Sequence, residues 1–196
     1  IATSYSMVSP ALQRILAGVI HWTIYCDGTL DVHVEAKKDP VFPVLPRFGL
    51  RLFLPKTFEK LTYCGLGPVE SYVDKHRASY HGIFHSTPAE QQEDYIRPQE
   101  NGSHYDCDYA SLASNRVMLT AVGEKTFSFQ ASVYTQEELT EKAHNYELKP
   151  CGSTVFCIDY RQAGIGSASC GPMLLEKYQL KETEISFAVR LKPELL

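Results

Sequence analysis

The sequence predicts an all-β domain, a large antiparallel sandwich with one short helix. Short runs rich in Val, Ile, Thr, Tyr and Phe recur along the chain, and these residues suit the pleated, half-buried surface of a strand. Aromatic usage leans the same way, with 12 Tyr and 9 Phe against a single Trp. Turn chemistry punctuates the runs, whereas helix-start chemistry occurs once. Eight to ten strands with so little helix imply antiparallel layers rather than βαβ units.

Taken in order, residues 18–25 alternate as a strand, and Asp27-Gly28 supplies the positive-φ turn of a hairpin. Thr29 to Ala36 returns with Leu30, Val32, Val34 and Ala36 on one face. Three prolines make 39–46 a loop or crossover. Phe48 to Leu54 and Phe58 to Cys64 are further strands, separated by Pro55. Residues 65–115 are rich in Gly, Pro, His, Ser, Asp and Tyr without sustained periodicity, so we expect an ordered but loop-like stretch of functional weight. Alternation resumes at Asn115 to Val122 and at Thr126 to Tyr134. Thr135-Gln136-Glu137-Glu138 reads as a capping box opening a short helix that runs to about Ala143. Strands at 153–160 and 183–191 follow, with a possible short helix near Pro172.

With 196 residues, 44% hydrophobic and 21% charged, the chain is one globular domain able to bury an ordinary core. Nineteen basic against 23 acidic side chains leave a net charge of −4, which lacks the cationic excess a nucleic-acid surface needs. No apolar run approaches the ~20 residues of a membrane helix. The chain opens Ile1-Ala2-Thr3 without initiator Met or signal peptide, so we expect a piece of a longer protein, short of one or more strands on its N-terminal side. Six cysteines with no Cys-x-x-Cys spacing read as reduced thiols packed as small hydrophobes in a cytoplasmic protein, with no zinc site expected.

Several local patterns fall short of the chemistry they suggest. Gly164-Ile165-Gly166 lacks the third glycine of a dinucleotide fingerprint, Ser169 standing there instead. Ser167 to Gly171 does not meet the Gly-x-Ser-x-Gly spacing of a nucleophile elbow. Cys170 shows no partner His in sequence. His76, His81 and His85 read as surface or hydrogen-bonded histidines in a loop. Glu93, Asp94, Glu100, Asp106 and Asp108 read as a solvated loop face, since nothing in sequence sets the separation a glycosidase pair needs.

Four ordered blocks carry a resemblance. Gly65-Leu66-Gly67-Pro68-Val69-Glu70-Ser71-Tyr72-Val73-Asp74-Lys75 resembles the Gly-Leu-Gly-Pro-x-Glu-x-Tyr-x-Asp-Arg signature of the C-terminal small-chain domain of family 2 β-galactosidases. Tyr95 to Gly102 resembles its Pro-x-Glu-Asn-Gly block. Tyr134-Thr135 with Glu138-Leu139 and His144 is similar to a third segment, and Ile158-Asp159 with Gly164 to Pro172 to a fourth. The resemblance implies a galactose mutarotase-like supersandwich packed on a catalytic (β/α)8 barrel that carries the two glutamates of the reaction. It implies no catalytic residue and no cofactor in this chain, the Mg and Na of the family belonging to the barrel. Its partners would be that barrel and the enzyme's other domains, a galactoside such as lactose, and further copies in a homo-oligomer. Ser167, Ser169, Cys170, Glu100 and Asn101 are the sugar-contacting candidates it implies, with Gly164 to Pro172 at the barrel mouth beside the leaving-group sugar. Lys75 stands where the signature has Arg, and Cys170 where well-known members have a Trp. A stand-alone carbohydrate-binding module and a purely structural assembly domain are the alternatives.

Overall fold

The computed structural model describes residues 1–165 and 172–196. Its strands are β1 (Ala2–Val8), β2 (Arg14–Ile24), β3 (Leu30–Lys38), β4 (Arg47–Pro55), β5 (Lys60–Gly67), β6 (Tyr80–Ser86), β7 (Ser103–Ala113), β8 (Val117–Ser132), β9 (Ser153–Gln162) and β10 (Glu184–Leu195). Among the described residues the helical elements are α1 (Gln136–Glu141) and two 3-10 turns, Asn145–Glu147 and Glu176–Tyr178. Every pairing of these strands is antiparallel, in the order β1-β2-β3-β10-β8-β7-β5-β6, with β9 joined to β8 and β4 to β9. The all-β sandwich expected from the sequence is the fold observed.

The sandwich is built by a fork in β8. Val117 to Gly123 pair with β10, and Ser128 to Ser132 pair with β9, while β7 follows the opposite side of both halves. At the fork a Cβ on Gly123 would collide with the Lys125 carbonyl, so only glycine permits the bend. The two wings close over one core. Val32, Val34 and Ala36 of β3 and Phe187 and Val189 of β10 share it with Phe156 and Ile158 of β9 and Leu61 and Tyr63 of β5. Across the closure the rings of Tyr160 and Phe187 stand edge to face at 6.1 Å.

The hairpin between β2 and β3 forms where the sequence places it. Gly28 has φ +85°, the Tyr25 N–H donates to the Thr29 carbonyl at 2.9 Å, and Asp27 Oδ1 accepts from the Thr29 N–H at 2.9 Å. Other expectations are corrected. The stretch 65–115 is loop-like over most of its length, but it also contains β6 and all of β7, whose alternation is hidden by register shifts between His104 and Tyr109 and by a left-handed Asp106 (φ +56°). His81 and His85 therefore sit on a strand, both side chains outward. The two runs either side of Gly123-Glu124-Lys125 form one 16-residue strand, not two. Strand β1 was not expected, because a mostly polar Ala-Thr-Ser-Tyr-Ser-Met-Val exposed on both faces gives no alternating signal. Near Pro172 the helical element is the 3-10 turn Glu176–Tyr178. Cys107 and Cys157 are buried as expected, Cys64 is half-buried, and Cys26 and Cys151 are exposed in turns. No helix among the described residues is long and apolar enough to cross a membrane.

Candidate functional site

Three of the sequence blocks meet in one polar cluster above β8 and β9. The second half of β8 is buried on both faces, so its polar positions need internal partners. Gln130, 1% exposed, donates through Nε2 to the Asn101 carbonyl at 2.6 Å and accepts at Oε1 from Gln136 Nε2 at 2.7 Å. Helix α1 exists to present Gln136: Thr135 Oγ1 caps it by accepting from the Glu138 N–H at 3.1 Å. The expected reciprocal half of the capping box is replaced, since the Glu138 carboxylate accepts from the Lys149 N–H at 2.8 Å.

Arg47, at the start of β4, is the hub. Its Nη2 lies 2.5 Å from Asp159 Oδ2, and its Nη1 donates to Glu100 Oε2 at 2.9 Å. Burial by itself would lower the Arg47 pKa, but the Asp159 and Glu100 carboxylates overcome it and the guanidinium stays firmly charged. Asp159, with a side chain 3% exposed, also accepts from Gln162 Nε2 at 2.9 Å. Glu100 is less well provided. Its Oε1 is buried without a partner among the described residues, and burial, reinforced by Asp159 and Glu70 and opposed by Arg47, pushes its pKa up to about 7.

A second node is Glu70, 5% exposed. Its carboxylate accepts from the Gly102 N–H at 2.8 Å and from Lys75 Nζ and the Tyr95 hydroxyl, with Tyr72 Oη at 3.5 Å. The first and second sequence blocks are thus tied through one carboxylate. Lys75 makes a single-point contact where a guanidinium could have gripped two oxygens. The first block reaches the fourth through Asp74, whose Oδ1 accepts from the Ile165 N–H at 3.0 Å. A Cβ on Gly164 would collide with that carboxylate, so the glycine is what lets the chain pass. Beside this crossing, a cleft of about 390 Å³ opens between the wings, lined by Val73, Tyr105, Thr126, Tyr160, Gln162 and Phe187.

The expected site residues fall into two groups. Glu100 and Asn101 lie in the polar cluster, where Asn101, 2% exposed, spends its amide on the Gln99 carbonyl at 2.8 Å and the Glu93 N–H at 3.1 Å. Ser167, Ser169 and Cys170 lie outside the described residues. Sequence reasoning missed Arg47 and Gln130, which carry no motif, and Gln136, which stood in the capping box without a role of its own. Glu70, Asp74 and Asp159 did stand in the quoted blocks, and a buried-acid role was their available signal.

The model of the beta galactosidase small chain matches residues 1–191. The chain belongs to the beta galactosidase small chain family. A beta-galactosidase of Actinobacillus pleuropneumoniae is 48% identical over 179 residues, covering 91% of this chain and 17% of that protein. One from Staphylococcus xylosus is 41% identical over 187 residues, 95% of this chain and 19% of the relative. One from Kluyveromyces lactis is 30% identical over 145 residues, 74% of this chain and 14% of the relative. The chain therefore spans less than a fifth of the length of these curated relatives. As a small chain it offers no stacked platform among its described residues: the exposed aromatics Tyr25, Phe53, Tyr80 and Tyr146 sit on separate elements, which disfavours the carbohydrate-binding-module alternative.

Proposed function

We propose that this chain is the accessory small-chain domain of a cytoplasmic β-galactosidase that hydrolyses terminal β-D-galactosides such as lactose. One observation carries the reading: Asp74 and Glu70 tie the first block to the loop entry at Ile165 and to Gly102, beside Glu100 and its Arg47–Asp159 pair. Such a network fixes loops that would otherwise cost conformational entropy to order when sugar binds. In this reading these segments form one wall of the sugar pocket, with Glu100, Ser167, Ser169 and Cys170 as its sugar-contacting residues, while the buried Asn101 holds the turn behind them. The nucleophile and acid glutamates, and the Mg and Na, belong to the barrel, which with the enzyme's other domains and further copies makes up the partners. Here Arg47 bridges Glu100 and Asp159 and fills the space that a sugar would need between two catalytic carboxyls.

The test is Cys170→Trp in the enzyme that carries this segment. An indole offers far more contact area to a sugar face than a thiol. Inhibition by free glucose and the yield of transfer products should both change. Hydrolysis of an aryl galactoside should stay within about an order of magnitude, because the reacting carboxylates are untouched. Unchanged acceptor binding and transfer in a folded enzyme would remove this loop from the sugar pocket.

A further inference from the structure

We propose that Cys64, His81 and Asp108 form a binding site for a zinc-class divalent cation on the outer face of β5, β6 and β7. Their ligand atoms all lie within 4.8 Å of one another, with His81 Nε2 3.2 Å and Cys64 Sγ 3.4 Å from Asp108 Oδ2. Zinc bonds of about 2.0–2.3 Å at tetrahedral angles put neighbouring ligand atoms about 3.3–3.8 Å apart, so two of the three edges need almost no adjustment.

The sheet constructs this grouping from residues far apart in sequence. Strand β5 lies between β6 and β7, with Leu66 paired to His81 and Cys64 paired to both Ile83 and Tyr109. The register shift between Cys107 and Tyr109 leaves Asp108 on a bulge, which turns its carboxylate outward to Cys64 while Cys107 stays fully buried. No sequence spacing announces the site.

The donor set selects the ion. One thiolate, one imidazole and one carboxylate suit borderline cations such as Zn²⁺ or Co²⁺, whereas Mg²⁺ and Ca²⁺ prefer oxygen throughout. His81 and Asp108 side chains are 46% and 54% exposed, so the ion has an entry path and solvent can complete a fourth position. In the metal-free chain the Cys64 thiol donates to Asp108. Binding breaks that S–H bond, forms the S–metal bond and releases the proton to solvent, with no change of oxidation state. A bound ion would tie β6, the terminal strand in the sheet order, to β5 and, across it, to β7.

Cobalt titration of the intact protein tests the proposal. One equivalent of Co²⁺ should produce a thiolate-to-cobalt charge-transfer band, with visible bands of four-coordinate intensity, and Zn²⁺ should bleach both. Cys64→Ser should abolish the charge-transfer band. His81→Ala and Asp108→Asn should each weaken binding by about tenfold or more, since even loss of an outer-shell partner costs that much. Cys26→Ser and Cys151→Ser, in exposed turns elsewhere, should leave the titration unchanged. In the unsubstituted protein, Zn²⁺ should slow alkylation of Cys64 while Cys26 and Cys151 react at their former rates, a readout that needs no variant to fold. A missing charge-transfer band at saturating cobalt, a band that survives Cys64→Ser, or binding unmoved by either His81→Ala or Asp108→Asn overturns the site.

Discussion

Glu100 holds its proton because of where the fold puts it. The unfolded carboxyl gives it up near the ordinary value of 4.5, whereas burial keeps the folded one protonated up to about pH 7. Between those values the folded chain binds more protons than the unfolded chain, so this group's contribution is most favourable below 4.5 and declines as pH rises to about 7. His104 acts in the opposite sense. Burial drops its pKa to about 4, so stability is lost as pH falls from 6.5 towards that value. The two slopes partly cancel, and a substitution separates them. Glu100→Gln should flatten the decline, recovering up to about 3 kcal/mol at about pH 8 relative to about pH 5, less whatever solvent screens at a side chain that is 31% exposed. Urea denaturation at the two pH values checks this, and an unaltered pH dependence would mean that Glu100 does not titrate in that range. Of this cluster, the sequence showed Glu100 and Asn101 through their motif block. Arg47 follows a proline-rich run with nothing to mark it, because its role comes from β4 lying beside β9 rather than from its neighbours in the chain.

Elements were legible where their signals are local. The Asp27-Gly28 hairpin and the Thr135 cap are set by residues within four positions, and both formed. Strand β7 and the length of β8 were hidden, because bulges shift the two-residue period and because Ser128, Gln130 and Ser132 are buried by polar partners that only the folded chain supplies. Thr135→Ala should cost about 1 kcal/mol, the usual penalty for a lost N-cap, visible as a lower denaturation midpoint with unchanged slope. Because α1 presents Gln136 to Gln130, that loss should also loosen Asn101, and faster amide exchange at residues 99–102 would report it. Protection of those amides equal to the parent would show that the helix end and the cluster are independent.

For the whole molecule, the expectation is chemical silence: the isolated chain should not turn over a chromogenic β-galactoside. Glu100 and Asp159 are both held by the Arg47 guanidinium. Turnover by purified chain that disappears in Glu100→Gln would contradict this. The strand order also has a temporal consequence. Leu30 pairs with Leu191, so β3 finds its second neighbour only in β10, and the β1–β2–β3 meander leaves a bare edge of backbone amides and carbonyls until then. A ribosome delivering this chain from its N-terminus must emit nearly all of it before that edge can be covered. Pairings this distant make closure slow relative to local hairpins. During that interval the exposed edge is open to a neighbouring nascent chain, so yield during biosynthesis should depend on how quickly residues 184–195 arrive.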